Sequence, residues 1–305
     1  MSSFVSRPSR ILAILSLTLT TALWGVSYPL IKEMILIYPP CTLAALRLVF
    51  ALAVLVPILL LQGRRPRITR TAILLGLSGV AAYQLLQNTG MQHVSAGETV
   101  IVLYGATAVL TILLGWCVLG ERCSILTGLA LVASVAGVTL VAMNPDQRNG
   151  LGFPLAGMGL ILLSALTWAV YTVIGRRNSG NDLTEINTGA LIVGLVVMTP
   201  FVMREHPGLD GRTGRHDLLM LATLGAVITA GTYYFWCYSI RHLRTSEVGV
   251  LCAGEPVFGL LFAWVLLQES ISTREIAGVA IVVGSCMLVT LAAPAPSLEA
   301  PRTLQ

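Results

Sequence analysis

Two stretches half a chain apart carry the same pattern. Residues 93–128 and 242–278 pair Glu98 with Glu247, Trp116 with Trp264, Glu121 with Glu269 and Gly128 with Gly278, at offsets of 148 to 150 in a chain of 305 residues. A repeat of this length makes the chain two related units, so one folding solution must serve twice. The polar stretch Met143-Asn144-Pro145-Asp146 separates them, and the units are expected at 1–149 and 150–305.

Composition decides what kind of unit this is. Only 11% of residues are charged and 55% are hydrophobic, against about 25% charged in a soluble domain. Too little polar surface remains to cover a soluble fold, so the class is an all-α polytopic membrane protein. A spanning helix takes roughly 17–25 mostly apolar residues. The apolar runs predict ten, at 11–31, 41–61, 72–91, 98–118, 125–143, 154–174, 184–203, 218–240, 248–267 and 274–293, five in each unit. The seventh is the most polar at its start, with Thr184, Glu185 and Asn187. Arg7 and Arg10 ahead of the first run could introduce a signal peptide. The run continues into Trp24-Gly25-Val26-Ser27-Tyr28-Pro29 without a small-residue cleavage site, so a retained first helix is expected.

Five spans per unit, an odd number, force the second unit to lie upside down relative to the first. The expected fold is therefore two inverted five-helix repeats around a central cavity, the arrangement that places a substrate site at the repeat interface. The basic residues agree. With the N-terminus inside, the inner side receives twelve: Arg7, Arg10, Arg64, Arg65, Arg67, Arg70, Arg122, Arg176, Arg177, Arg241, Arg244 and Arg302. The outer side receives six: Lys32, Arg148, Arg204, Arg212, Arg215 and Arg274. This bias predicts an inner-membrane protein with both termini in the cytoplasm.

Several classes are disfavoured. The net charge of +5 is not gathered into a basic patch interleaved with aromatics, so no nucleic-acid partner is expected. The six cysteines make no CxxC pair and the four histidines no H-x-x-x-H pair, so neither metal nor other cofactor is expected. No Walker A motif is present to hydrolyse ATP. A membrane enzyme would need His, Asp or Cys clustered at one interface, and the short loops lack such a cluster.

Glu255 is the sharpest site candidate. It is the eighth residue of the ninth span, where an acid costs about 3 kcal/mol to insert. Such a residue faces a cavity, or it is a protonated carboxyl joining two helices. Pro256 beside it removes a backbone hydrogen bond and predicts a kink. Arg47 lies inside the second span. It either snorkels to the interface, pairs with Glu33 or a carbonyl, or meets substrate. In the third span Tyr83 and Gln87, and likewise Gln84 and Asn88, are four apart, which makes two adjacent faces polar. Either they bond between helices, at about 0.6 kcal/mol each, or they line a watered cavity.

Trp24, Tyr28, Tyr104, Trp168, Tyr171, Tyr233, Tyr234 and Trp236 sit within spans and predict aromatic cavity walls, suited to organic substrates with apolar or cationic parts. For each ring alone, packing between helices is the competing reading. Ser95-x-x-Glu98 is a capping box, and Glu247 also suits a helix start. Glu121 and Glu269 follow helix ends, where an acid needs a local partner, so both read as architectural. Small residues in the fifth and tenth spans, including Gly128, Gly137, Gly278 and Gly284, allow close helix approach. Those spans are expected to buttress their own halves or to face a second subunit; a monomer is adequate.

Four motifs carry a family resemblance: Trp24-Gly25-x-x-Tyr28-Pro29-x-x-Lys32; Pro39-Pro40 with Ala44-Ala45-Leu46-Arg47; Asn88-Thr89-Gly90-Met91-Gln92-His93-x-Ser95-Ala96-Gly97; and Leu119-Gly120-Glu121 with Gly128, echoed by Glu255-Pro256, Glu269 and Gly278. In this order the chain resembles the EamA-type transporters of the drug/metabolite transporter superfamily. The resemblance implies ten helices in two inverted repeats, a cavity lined by helices 1, 3, 4, 6, 8 and 9, and export of amino acids and other small metabolites. Structural or hinge roles are expected at Gly25, Pro29, Arg47 and Pro256. The halves depart from one another: Ala108 stands where span 4 should carry proline, Gln268 replaces glycine before Glu269, and Lys32 has no counterpart. The function expected is a secondary transporter exporting small organic metabolites, amino acids among them, by alternating access, with its substrate and the lipid bilayer as partners. A broad drug or organic-cation exporter is the alternative. A receptor or scaffold is a third reading.

Overall fold

The computed structural model describes residues 7–119, 125–142, 154–177, 183–205, 214–243, 248 and 251–292, and every regular element among them is helical. In chain order these are α1 (Arg7–Met34), α2 (Pro40–Leu61), α3 (Arg70–Leu75), α4 (Tyr83–Met91), α5 (Ala96–Leu119), α6 (Ile125–Ala142), α7 (Pro154–Arg177), α8 (Leu183–Glu205), α9 (Arg215–Ala222), α10 (Thr232–His242), α11 (Glu255–Leu267) and α12 (Thr273–Ala292). A π-helical segment, Gly76–Ala82, joins α3 to α4 in one rod, and a second, Thr223–Gly231, joins α9 to α10.

Among the described residues six helical stretches are long and apolar enough to cross a membrane: Arg10–Met34, Pro40–Leu61, Ala96–Val118, Leu155–Gly175, Thr184–Glu205 and Arg215–Trp236. The outside is correspondingly greasy. Leu36, Leu61, Ile125 and Leu155 are each more than 80% exposed, a surface that suits hydrocarbon rather than water.

The packing crosses between the two halves of the sequence. In the first half α1 lies against α10 and α11 of the second; in the second half α7 lies against α4 and α5 of the first. The helix α2 packs on α8 and on the second π segment, and α8 packs on the first π segment. Glycines allow the closest approaches. A Cβ on Gly76 would lie 2.7 Å from the Ala190 carbonyl oxygen, and one on Gly225 would lie 2.5 Å from that of Arg47. The helix α6 packs on α5 of its own half, as expected, and its small residues also meet α12. The two helices pack on each other, with an added Cβ on Gly137 only 3.1 Å from the Gly278 carbonyl.

The helix ends are tied by carboxylates. Glu98 and Ser95 form the expected box: the Glu98 N–H donates to Ser95 Oγ at 3.1 Å, and Ser95 N–H and Oγ approach Glu98 Oε2 at 3.4 and 3.2 Å. Ser272 and Glu275 repeat it at the start of α12. Glu269 has found its partner in the N-terminus of α5, whose Ala96 and Gly97 N–H groups donate to its two oxygens at 3.0 and 3.1 Å. Orphan N–H groups and the positive end of the helix dipole both favour a carboxylate there. Beside it Lys32 Nζ donates to the carbonyls of Met91 and Val94. Glu121 and Glu247 lie outside the described residues. Glu205 at the end of α8 accepts from the N–H groups of Cys41 and Thr42 at the start of α2. At the opposite end of that pair, Arg64 meets Glu185 at 2.8 Å.

These caps make a stability prediction. Glu269→Ala removes a charged acceptor from two N–H groups, a loss of about 2 kcal/mol, and is expected to lower the thermal midpoint in detergent, while Arg64→Ala, at a partly exposed pair, costs about 1 kcal/mol. Equal midpoints for wild type and Glu269→Ala would contradict the capping role.

The ninth span is broken rather than kinked. Leu251 and Cys252 are helical, Ala253 and Gly254 form a turn, and α11 starts afresh at Glu255. Pro256 sits in the first turn of the new helix, where its missing N–H costs nothing. By contrast α5 runs unbroken through Thr107-Ala108, the aligned positions. Pro29 lies inside α1 without interrupting it.

Candidate functional site

The interruption puts Glu255 at a helix start in the middle of the bundle, and the first helix of the other unit reaches it. Gly25 makes this reach short. A Cβ at Gly25 would sit 2.6 Å from Phe258 Cβ and 2.8 Å from Gly259 N, so α1 and α11 touch backbone to backbone there. One turn further along, the buried Tyr28 donates its hydroxyl to Glu255 Oε1 at 2.8 Å. Tyr83 lies close to Tyr28. Tyr83 and Tyr104 lie within electrostatic range of Glu255, and Arg47 within range of Tyr28 and Tyr83. Arg47 does not pair with Glu33; its Nε donates to Thr229 Oγ1 at 3.2 Å, and that hydroxyl donates to Leu224 O in the π segment.

Two aromatic clusters involve residues of these helices. In one, Tyr83 packs on Trp168 with centroids 4.7 Å apart, and Trp168 stacks on Tyr171 at 4.9 Å. The Tyr171 hydroxyl lies 3.0 Å from that of Tyr233 and 3.2 Å from Asn187 Oδ1. In the other, Trp24 packs on Trp236 at 5.4 Å and donates its indole N–H to Thr232 Oγ1 at 3.1 Å. These ring separations fall in the range of favourable aromatic pairs.

The remaining candidates divide. Gln84, Gln87 and Asn88 are buried. Asn88 donates to the Pro40 carbonyl at 3.1 Å, which joins α4 to α2, while Gln84 Oε1 and Asn88 Oδ1 have no protein partner among the described residues. Tyr234 is 53% exposed, and its ring contact is edge-on with its neighbour Phe235. Successive helical residues point about 100° apart, so Tyr233 faces the centre and Tyr234 does not. Thr229, Thr232 and Asn187 join the site without having been singled out; their small polar side chains inside apolar spans were the available signal. Hollows of about 530 and 510 Å³ lie on the outer faces of α6–α12 and α5–α7, walled mainly by aliphatic groups, away from Glu255. Among the described residues no three His, Cys, Asp or Glu side chains converge as a metal site.

The sequence profile of the EamA-like transporter family matches residues 11–143 and again 155–291. The chain belongs to this family. It is 26% identical over 274 residues to an uncharacterized transporter of Archaeoglobus fulgidus, covering 86% of this chain and 92% of that protein. It is 25% identical over 300 residues to the S-adenosylmethionine/S-adenosylhomocysteine transporter of Chlamydia trachomatis, covering 93% and 91%. A solved crystal structure superposes with a TM-score of 0.69 at 21% identity, covering 94% of this chain and 98% of the other, which supports the fold alone. This EamA-family chain is thus a multi-pass membrane protein with transporters as its relatives.

Proposed function

We propose that this EamA-family protein is a secondary transporter that exports small organic metabolites, amino acids foremost, by alternating access. The observation that carries the reading is the Tyr28–Glu255 bond. It joins a tyrosine of the first unit to an acid at the broken helix of the second. An acid in that position, exchanging a tyrosine hydroxyl for a substrate ammonium or a proton, links occupancy of the site to the interface between the units.

The units are ten membrane helices in two inverted repeats, 1–149 and 150–305, in the inner membrane with both termini in the cytoplasm. Two regularities support this: the reciprocal packing of α1 on α10 and α11 and of α7 on α4 and α5, and the π segment in each third rod. Rocking of one repeat against the other around a fixed site is the expected motion. The relative of Chlamydia trachomatis is named for two compounds that each contain an α-amino acid group, which favours amino-acid chemistry. The stacked wall of Tyr83, Trp168 and Tyr171 favours the second reading, export of organic cations.

The test is exchange flux in proteoliposomes for a panel of amino acids, sugars, nucleosides and organic cations, with and without a pH gradient. Saturable exchange of amino acids is the expected result. Exchange confined to hydrophobic cations would replace it by the second reading, and no exchange of any class would overturn transport.

A further inference from the structure

We propose that Arg47 is the anion-binding pole of the site, so that the substrate is a bipolar molecule with its ammonium at Glu255 and its carboxylate at Arg47. This rests on the transport reading above and adds the polarity of the cargo.

Arg47 sits well inside α2, and its guanidinium has five N–H donors. One is used, by Nε on the Thr229 hydroxyl. Among the described residues no carboxylate pairs with it, and Glu255 pairs with no cation; the acid's bond is to the Tyr28 hydroxyl. The two opposite charges therefore share one neighbourhood without neutralising each other. Tyr28 and Tyr83 lie within electrostatic range of both, and Tyr28 is bonded to the acid. A guanidinium with unused donors in an apolar bundle is costly unless an acceptor arrives, and its planar fork matches a carboxylate in bidentate fashion.

Comparison of the two units sharpens this. Gly225 of the second π segment packs on the Arg47 carbonyl and Phe50, and Gly76 of the first packs in the same way on the Ala190 carbonyl and Val193. The counterpart of Arg47 is thus Ala190. The counterpart of Glu255 is Thr107. Each unit contributes one charge where the other has a neutral residue: the cation comes from the first and the anion from the second. The shared packing at α2 and α8 does not need the Arg47 charge, since its uncharged copy is built at Ala190. A substrate with both charges completes both poles, whereas one with a single charge leaves the other pole unmet.

The experiment measures inhibition of L-phenylalanine and L-leucine exchange in proteoliposomes by each amino acid's decarboxylated amine and its deaminated acid. In wild type the zwitterion is expected to compete at least tenfold better than either analogue. In Arg47→Gln the preference over the amine is expected to vanish while the preference over the deaminated acid remains. In Arg47→Lys, which keeps the charge but not the fork, the preference over the amine falls several-fold. Each ratio is internal to one variant, so a partly unfolded preparation scales both arms alike. Should Arg47→Gln not reconstitute, the Arg47→Lys ratio decides. An unchanged ratio in the variants overturns the pole with transport intact. Wild-type exchange of other panel classes without either amino acid also overturns it, and no exchange of any class removes the transport reading itself.

Discussion

Glu255→Gln is expected to slow substrate exchange by at least about tenfold and to flatten its dependence on pH. A hydrogen bond to a charged group contributes about 1.5–3 kcal/mol, and each 1.4 kcal/mol is about a factor of ten in affinity. The amide keeps the volume of the acid and still accepts from Tyr28, so the α1–α11 contact survives. The thermal midpoint in detergent should stay within a few degrees of wild type, which separates lost function from lost fold. The same exchange rate and pH profile in Glu255→Gln and wild type would remove Glu255 from the mechanism and leave it as a bond between helices.

Gly79→Val is expected to be the most damaging substitution to the fold. Gly79 lies in the first π segment, and a Cβ there would run into the ring of Tyr171. That ring has nowhere to go, since it stacks on Trp168 and bonds to Tyr233 and Asn187. Overpacking of this kind costs about 3 kcal/mol, a fall of roughly 6–12 °C in thermal midpoint. Gly159→Ala is the control, because a Cβ there meets nothing within 4 Å, and it should be neutral. If Gly79→Val melts with Gly159→Ala, α7 does not pack on the first π segment as described.

The parts of this architecture that depend on nearest neighbours in the chain were legible in the sequence. Glu255-Pro256 announced a disturbed helix, because an acid and a proline side by side in an apolar run admit few other outcomes. Ser95 and Glu98 announced a cap for the same local reason. The severity of the break was not legible: a proline at a helix start and a proline at a kink read alike. Pairings between the units were also hidden. Tyr28 meets Glu255 across 227 positions, and Arg47 meets Thr229 across 182, separations that no periodicity reports. Glu269 needed a partner on electrostatic grounds, yet its identity, the start of α5, follows only from how the units interlock. The π segments left no compositional mark beyond their glycines. Tyr233 and Tyr234 were equally good candidates by depth, and only the helix rotation chose between them.

The most direct measurement of the central claim is substrate protection of Glu255. Wild-type protein in proteoliposomes is treated with a hydrophobic carbodiimide, with and without a saturating exchanged amino acid, and modification at Glu255 is read by peptide mass spectrometry. Labelling that substrate suppresses at Glu255, but leaves unchanged at Glu185, is the predicted result. Glu255 labelled equally in both samples, or reached in neither, would contradict a substrate site built around it.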